Sequence, residues 1–318
     1  MPVFPLIRLQ IRPSLGEFES TFPRGGRLAL RAPSSTTNPN LSNRLVKREK
    51  LWYNGKNTKS EMVTVKVNLH THTYRCGHAK GTDEEYVLAA IAAGYDKLGF
   101  ADHTPFPYQD GFVNKDKMTV EELPNYIDSV LSLKEKYKGK IEILLGLECE
   151  AVPEFFPFLW EVKQRMDYLI LGSHGDKRID PYSGVLTEPA QLRRYYEYTV
   201  EGMESGLFLY LAHPDVMLGR YPAFDDTAAD WSRKLCREAN RLGLPIEYNL
   251  YGVYKGAKPG CLGYPCDDFW RIAAEENCVA VVGVDAHFPE GFQVTPMEPA
   301  VAYLNSLGIT VLDDPTKA

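Results

Sequence analysis

The stretch Val65-Lys66-Val67-Asn68-Leu69-His70-Thr71-His72 sets the reading of the whole chain. Its β-branched start predicts a short strand, and the strand ends in His-x-His. Side chains two apart on a strand share a face, so His70 and His72 can aim two imidazoles at one point. Neutral imidazole is the commonest metal ligand. One such pair is weak on its own, so the rest of the histidine inventory decides.

There are only seven histidines in 318 residues. After the opening pair come His78, His103, His174, His213 and His287, each in a short loop or just past an apolar, strand-like run. Two carboxylates fall in similar places, Glu148 after Ile141–Leu147 and Asp285 after Val279–Val284. Taken singly each has a bland reading, such as a strand end for His213 or a helix cap for Asp285. The shared placement of all nine is what points to a site.

From Met62 onward a βα rhythm runs through the chain. Strands are predicted at 65–69, 97–101, 141–147, 168–172, 207–212, 245–250 and 279–284. Helices are predicted between them: from Thr82-Asp83-Glu84-Glu85, a capping-box start; from Thr119 to about 137; and near 154–165, 188–205, 226–242, 266–277 and 296–306. Alternation of this kind predicts a parallel sheet with helices outside it. Six strands deliver a His, Glu or Asp at their C-terminal ends, and the seventh carries Glu247 and Asn249 on one face. Contributions from every strand fit a ring better than the single switch point of an open sheet. The expected fold is therefore a distorted (β/α)7 barrel with its site at the C-terminal face.

Charge divides the chain unevenly. Residues 1–61 hold eleven Lys/Arg against four Asp/Glu, and the remainder twenty-five against thirty-eight, for a net −6. The acidic body is a poor surface for nucleic-acid phosphates. No apolar run approaches a membrane span. Six cysteines show no CxxC spacing and read as reduced thiols of a cytoplasmic protein. Cys76, between His72 and His78, is expected to border the site. Residues 1–61 carry six prolines and no sustained periodicity, a composition that favours disorder. They read as an added or spurious extension, with 62–318 as the functional domain.

Nine candidate ligands exceed the three that one catalytic zinc uses, so they suit two or three divalent ions. Mixed imidazole and carboxylate donors accommodate zinc, manganese or iron. Clustered ions lower the pKa of a shared water and clamp a phosphoryl group, which makes hydrolysis of a phosphate ester the expected chemistry. There is no G-x-S-x-G elbow, no P-loop and no G-x-G-x-x-G.

The ordered set N-L-H-T-H-T, C-G-H-A, A-D-H-T-P, G-L-E-C-E, G-S-H, A-H-P-D and G-V-D-A-H resembles the motifs of the polymerase-and-histidinol-phosphatase (PHP) superfamily, and most of all its histidinol-phosphatase branch. The resemblance covers about 62–290. It implies a distorted seven-stranded βα barrel and three divalent metal ions. One ion would take His70, His72, Glu148 and Asp285; a second Glu148, His174 and His213; a third His78, His103 and His287. It also implies in-line attack by a metal-bridging hydroxide, with Asp285 or His287 helping to move protons. Asp102 and Asp215 would orient ligating imidazoles.

The implied substrate is a small phosphate ester, L-histidinol phosphate. Arg220 matches a family arginine near the phosphate. A second family arginine, expected after the Glu-x-Asn pattern of the sixth strand, is missing from Glu247-Tyr248-Asn249-Leu250-Tyr251. Arg178, Lys255 and Lys258 are the candidates to replace it. Two other readings stay open: a PHP phosphoesterase acting on nucleotides, oligonucleotides or phosphoprotein, and a non-catalytic PHP module.

Overall fold

The computed structural model describes residues 66–174 and 188–317. The segment 1–61 and Arg178 lie outside the described residues. Eight strands follow one another around a single parallel sheet, in chain order. They are β1 Val67–Asn68, β2 Lys97–His103, β3 Glu142–Cys149, β4 Tyr168–Gly172, β5 Leu211–Ala212, β6 Ile246–Asn249, β7 Val279–Gly283 and β8 Thr310–Val311. Helices lie between successive strands: α1 Asp83–Ala92, α2 Leu123–Lys136, α3 Phe156–Lys163, α4 Pro189–Glu204, α5 Asp226–Leu242, then α6 Leu250–Lys255 and α7 Asp267–Glu275. The short α8 Gly291–Val294 and α9 Glu298–Ser306 precede β8.

The sheet curls until its first and seventh strands meet at their C-terminal ends. There Thr71 and Ala286 form a parallel bridge, with His72 N donating to Ala286 O and Ala286 N to His70 O. Asn68 reinforces the seam by accepting from Val284 N at 2.8 Å. At the other end of β7 the place beside it belongs to β8, which pairs Thr310 with Val279. The expected seven strands are all present. The eighth, Thr310–Val311, is an addition, because two residues carry no periodicity from which a strand is predicted.

Two apolar layers hold this shape. Inside the ring, Leu69, Ala101, Tyr168, Ile170, Tyr210, Ala212 and Val281 pack together. Tyr168 crosses the interior: its hydroxyl lies 2.7 Å from Leu69 O and 2.9 Å from Phe100 O. A side chain at Gly99 or Gly146 would collide with that ring, which explains two glycines inside buried strands. Outside the ring, Phe100, Leu145, Leu147, Leu171 and Val282 meet Tyr126, Leu159, Leu192, Leu235 and Phe269 of the helices. Each large side chain buried this way contributes roughly 1.5–3 kcal/mol.

Local rules set the helix starts. Thr82 and Glu85 make the predicted capping box of α1. The Thr119 motif makes only a turn, with Thr119 N donating to Glu122. The helix proper begins at Leu123, because Pro124 suits the first turn, where an N–H has no partner to lose.

Candidate metal centre

All nine predicted side chains converge at the C-terminal end of the ring, around Glu148. Its Oε1 lies 2.8 Å from His213 Nε2 and 3.5 Å from His174 Nε2. Its Oε2 lies 3.0 Å from His103 Nδ1, 3.4 Å from His72 Nε2 and 3.5 Å from His70 Nε2. Asp285 Oδ1 adds contacts of 3.0 Å to His72 Nε2 and 3.5 Å to His70 Nε2. His78 and His287 complete the cluster with ring centroids 5.0 Å apart, and His287 stacks on His72 at 4.2 Å.

The backbone is bent to achieve this. His213 and Asp285 have φ of 29° and 51°, in the left-handed region that residues with a Cβ disfavour. Strain of this kind concentrates at functional sites. A side chain at Gly172 would collide with the Glu148 carboxylate, so the neighbouring strand keeps a glycine where that carboxylate lies.

Neighbouring groups fix the tautomers. His78 Nδ1 donates to Cys76 O at 2.8 Å and His287 Nδ1 to Asp285 O at 2.9 Å. A carbonyl can only accept, so Nε2 keeps its lone pair in both rings. His70 Nδ1 lies 2.9 Å from Glu247 and His174 Nδ1 3.4 Å from Glu150, which leaves the Nε2 lone pair free whenever the ring is neutral. Orienting a ring through its far nitrogen is how metal-binding imidazoles are normally held.

Electrostatics point the same way. Burial alone would lower the His70 pKa, but Glu247, Asp285 and Glu148 hold it well above the usual range. Burial acts likewise on His72, and Asp102 and Asp285 overcome it, raising the ring to about 9. Burial would raise Glu148, yet His174, His70 and His103 hold it far below the usual carboxylate range. Burial and the His72 charge instead push His287 down to about 3. Glu148 Oε2 and Asp285 Oδ1 are buried without a hydrogen-bond partner among the described residues. Orphaned anionic oxygens among lone-pair nitrogens make a site that fits divalent cations. Ligand atoms of His70, His72 and Asp285 lie within 4.8 Å of one another, as do those of His70, Glu148 and His213, and of His72, His103 and His287.

A cleft of about 580 Å³ opens onto this cluster. Arg220, Lys255 and Lys258 line it together with Tyr251, Tyr264, Asp116 and Lys117. Tyr251 stacks on His287 at 4.4 Å. Arg220 is exposed within the cleft. Cys76 borders the site as expected, close to His78 and His287, and burial pushes its thiol up to about 12.

Of the two expected orienting roles, that of Asp102 is met and that of Asp215 is not. Asp102 sits 3.6 Å from His72 Nδ1 and also holds the backbone N–H of His103. Asp215 holds no imidazole; it accepts from Cys266 N at 2.7 Å and Trp270 Nε1 at 3.1 Å, tying down the start of α7. Strand alternation puts Glu247 and Asn249 on one face but does not give them a task. Glu247 takes His70, and Asn249 bridges Glu247 to Asp285 at 3.0 Å each. Glu150 carried a usable signal, two residues after Glu148; Lys117, in an irregular loop, carried none.

Comparison with known proteins agrees with this geometry. The model of the PHP domain family matches residues 68–249. The chain belongs to the PHP family. It is 33% identical over 248 residues to the histidinol-phosphatase of Bacillus subtilis, an alignment covering 69% of this chain and 92% of that one. It is also 33% identical over 233 residues to the "Probable histidinol-phosphatase" of Deinococcus radiodurans, covering 69% and 85% respectively. The PHP fold recurs in histidinol phosphate phosphatase from Lactococcus lactis, whose crystal structure holds zinc, L-histidinol and phosphate. That structure superposes with a TM-score of 0.62 at 17% identity, covering 78% of this chain and 95% of that one. Among the described residues of this PHP protein, no helix is long and apolar enough to cross a membrane.

Proposed function

We propose that this PHP protein is a metal-dependent phosphomonoesterase that converts L-histidinol phosphate to L-histidinol and phosphate, a step of histidine synthesis. The observation that carries this reading is one buried carboxylate, Glu148, touching five imidazoles beneath the floor of the cleft. The names of the relatives at 33% identity support the substrate.

Three divalent ions are the proposed complement: His70, His72, Glu148 and Asp285 would hold one, Glu148, His174 and His213 a second, and His78, His103 and His287 a third. When bound, such ions bring the pKa of water toward neutrality and clamp phosphoryl oxygens. The chain's own groups do the rest. Glu148 would be shared by the first two ligand sets, and its neighbouring imidazoles favour the charged carboxylate. Asp285 and His287, both facing the cleft, move protons at its floor. Arg220 binds the phosphate, with Lys255 and Lys258 nearby and Arg178 as a further candidate. Six free cysteines support a reducing, cytoplasmic setting.

The test is phosphate release from L-histidinol phosphate by purified protein, before and after metal stripping and re-addition, beside nucleotides and sugar phosphates. Turnover confined to histidinol phosphate and dependent on metal is the expected result. Metal-dependent turnover of other esters alone would overturn the substrate and keep the site.

A further inference from the structure

We infer that Lys117 and Glu150 form a positioning pair that fixes the imidazole of His174 at the metal centre. The inference rests on the metal-dependent reading above. Glu150 Oε1 accepts from Lys117 Nζ and lies 3.4 Å from His174 Nδ1. Both members of the pair are buried, and both line the cleft.

Burying an ion pair carries a desolvation cost that apolar packing would avoid. Lys117 comes from the loop between β2 and α2, where the fold itself has no need of a buried charge. His174, however, does need a tether. Its side chain is 31% exposed, whereas the other imidazoles on Glu148 are at most 10% exposed. Packing therefore holds this ring less firmly than the other four. A carboxylate on Nδ1 leaves the Nε2 lone pair facing Glu148 and His213, the latter 3.1 Å away. Glu150 alone would be one more anion competing for the metal. Lys117 neutralises it, so that it orients the ring instead.

The test uses the full chain with both residues replaced, Lys117→Met and Glu150→Met together, since an apolar exchange of a whole buried pair is commonly tolerated by the fold. Zinc content is measured after dialysis against graded chelator, and kcat and KM are measured with L-histidinol phosphate at limiting and saturating zinc. The expected result is a zinc affinity about 10- to 100-fold weaker, with kcat restored by saturating zinc and KM little changed. Glu150→Gln alone recovers most of the affinity, because its amide oxygen still accepts from Nδ1.

Three outcomes would overturn the inference. Zinc binding equal to wild type in the double variant makes the pair merely structural. Permanent loss of one zinc equivalent makes Glu150 a ligand. No recovery by Glu150→Gln removes the tether. Zinc content is read without substrate, so failure of the wild type on histidinol phosphate would sink the substrate and leave this test intact.

Discussion

His70 Nδ1 lies within 2.9 and 3.1 Å of the two carboxylate oxygens of Glu247, a partner 177 residues away on β6. The same carboxylate accepts from His213 N at 3.2 Å and from the Asn249 side chain. Donors therefore face both of its oxygens. An amide in its place has no orientation that avoids setting N–H against N–H. Glu247→Gln should weaken metal affinity or activity by about 10- to 100-fold and lower stability by about 1–3 kcal/mol. Metal content after dialysis, and urea unfolding, check the two effects.

Glycines beside the site give a prediction that removes no polar group. A methyl group at Gly172 would overlap the Glu148 carboxylate, and one at Gly283 the Glu247 carboxylate. Neither carboxylate can retreat into a packed core. Gly172→Ala and Gly283→Ala should each cost about 1–3 kcal/mol and cut phosphatase activity at least tenfold. Gly291→Ala is the control: its nearest neighbour would be 3.7 Å away, so stability and activity should hold. Equal behaviour of the three variants would refute the argument.

Much of this could be read before any coordinates. Strand-forming runs such as Leu98–Ala101 and Tyr168–Gly172 announce themselves by continuous apolar residues, and whatever polar group follows them must lie at one face of a parallel sheet. His103, Glu148 and His174 were legible for that reason. What escaped depends on contacts distant in sequence. Thr310–Val311 becomes a strand only because Val279 and Ala280 offer an edge. The task of Glu247 appears only when β6 and β1 close against each other. Asn249 is the mixed case: its place on the strand was read, but its capping of α6, with Gly252 N donating to Oδ1 at 2.8 Å, was not.

Asp314 offers a pH test far from the metal centre. Burial would raise its pKa, but Lys97 Nζ at 2.7 Å and hydrogen bonds from Thr316 hold it down to about 2. Lys97 also faces Glu142 at 3.3 Å, and Lys317 approaches Asp314 at 3.2 Å. A depressed carboxylate pKa contributes stability that is full above the unfolded value of 3.8 and is lost as pH falls toward about 2. Asp314→Asn should therefore cost on the order of 1 kcal/mol at neutral pH. The gap to wild type should narrow as pH falls from about 4 to about 2. Thermal melts of both proteins across that range decide it; a gap independent of pH would refute the assignment.

Metal removal should destabilise the protein in a way that depends on pH. Without metal, the charge of Glu148, Asp285 and Glu247 is balanced by protons on His70 and His72. The His72 pKa stands near 9 in the folded chain against 6.5 unfolded, and that of His70 is raised in the same direction. A raised imidazole pKa contributes stability that is fully present below the unfolded value and is lost as pH climbs through the folded one. The stripped protein should thus lose its internal counter-charge between about pH 6.5 and pH 9. Metal binding runs the other way, since the ion competes with those protons and binds more tightly as pH rises. The difference in melting temperature between loaded and stripped protein should therefore widen steadily from about pH 6 to pH 9. Scanning calorimetry of both forms in matched buffers measures it. A constant or shrinking difference would mean that the buried carboxylates are compensated by something other than these two imidazoles and the ions that replace their protons.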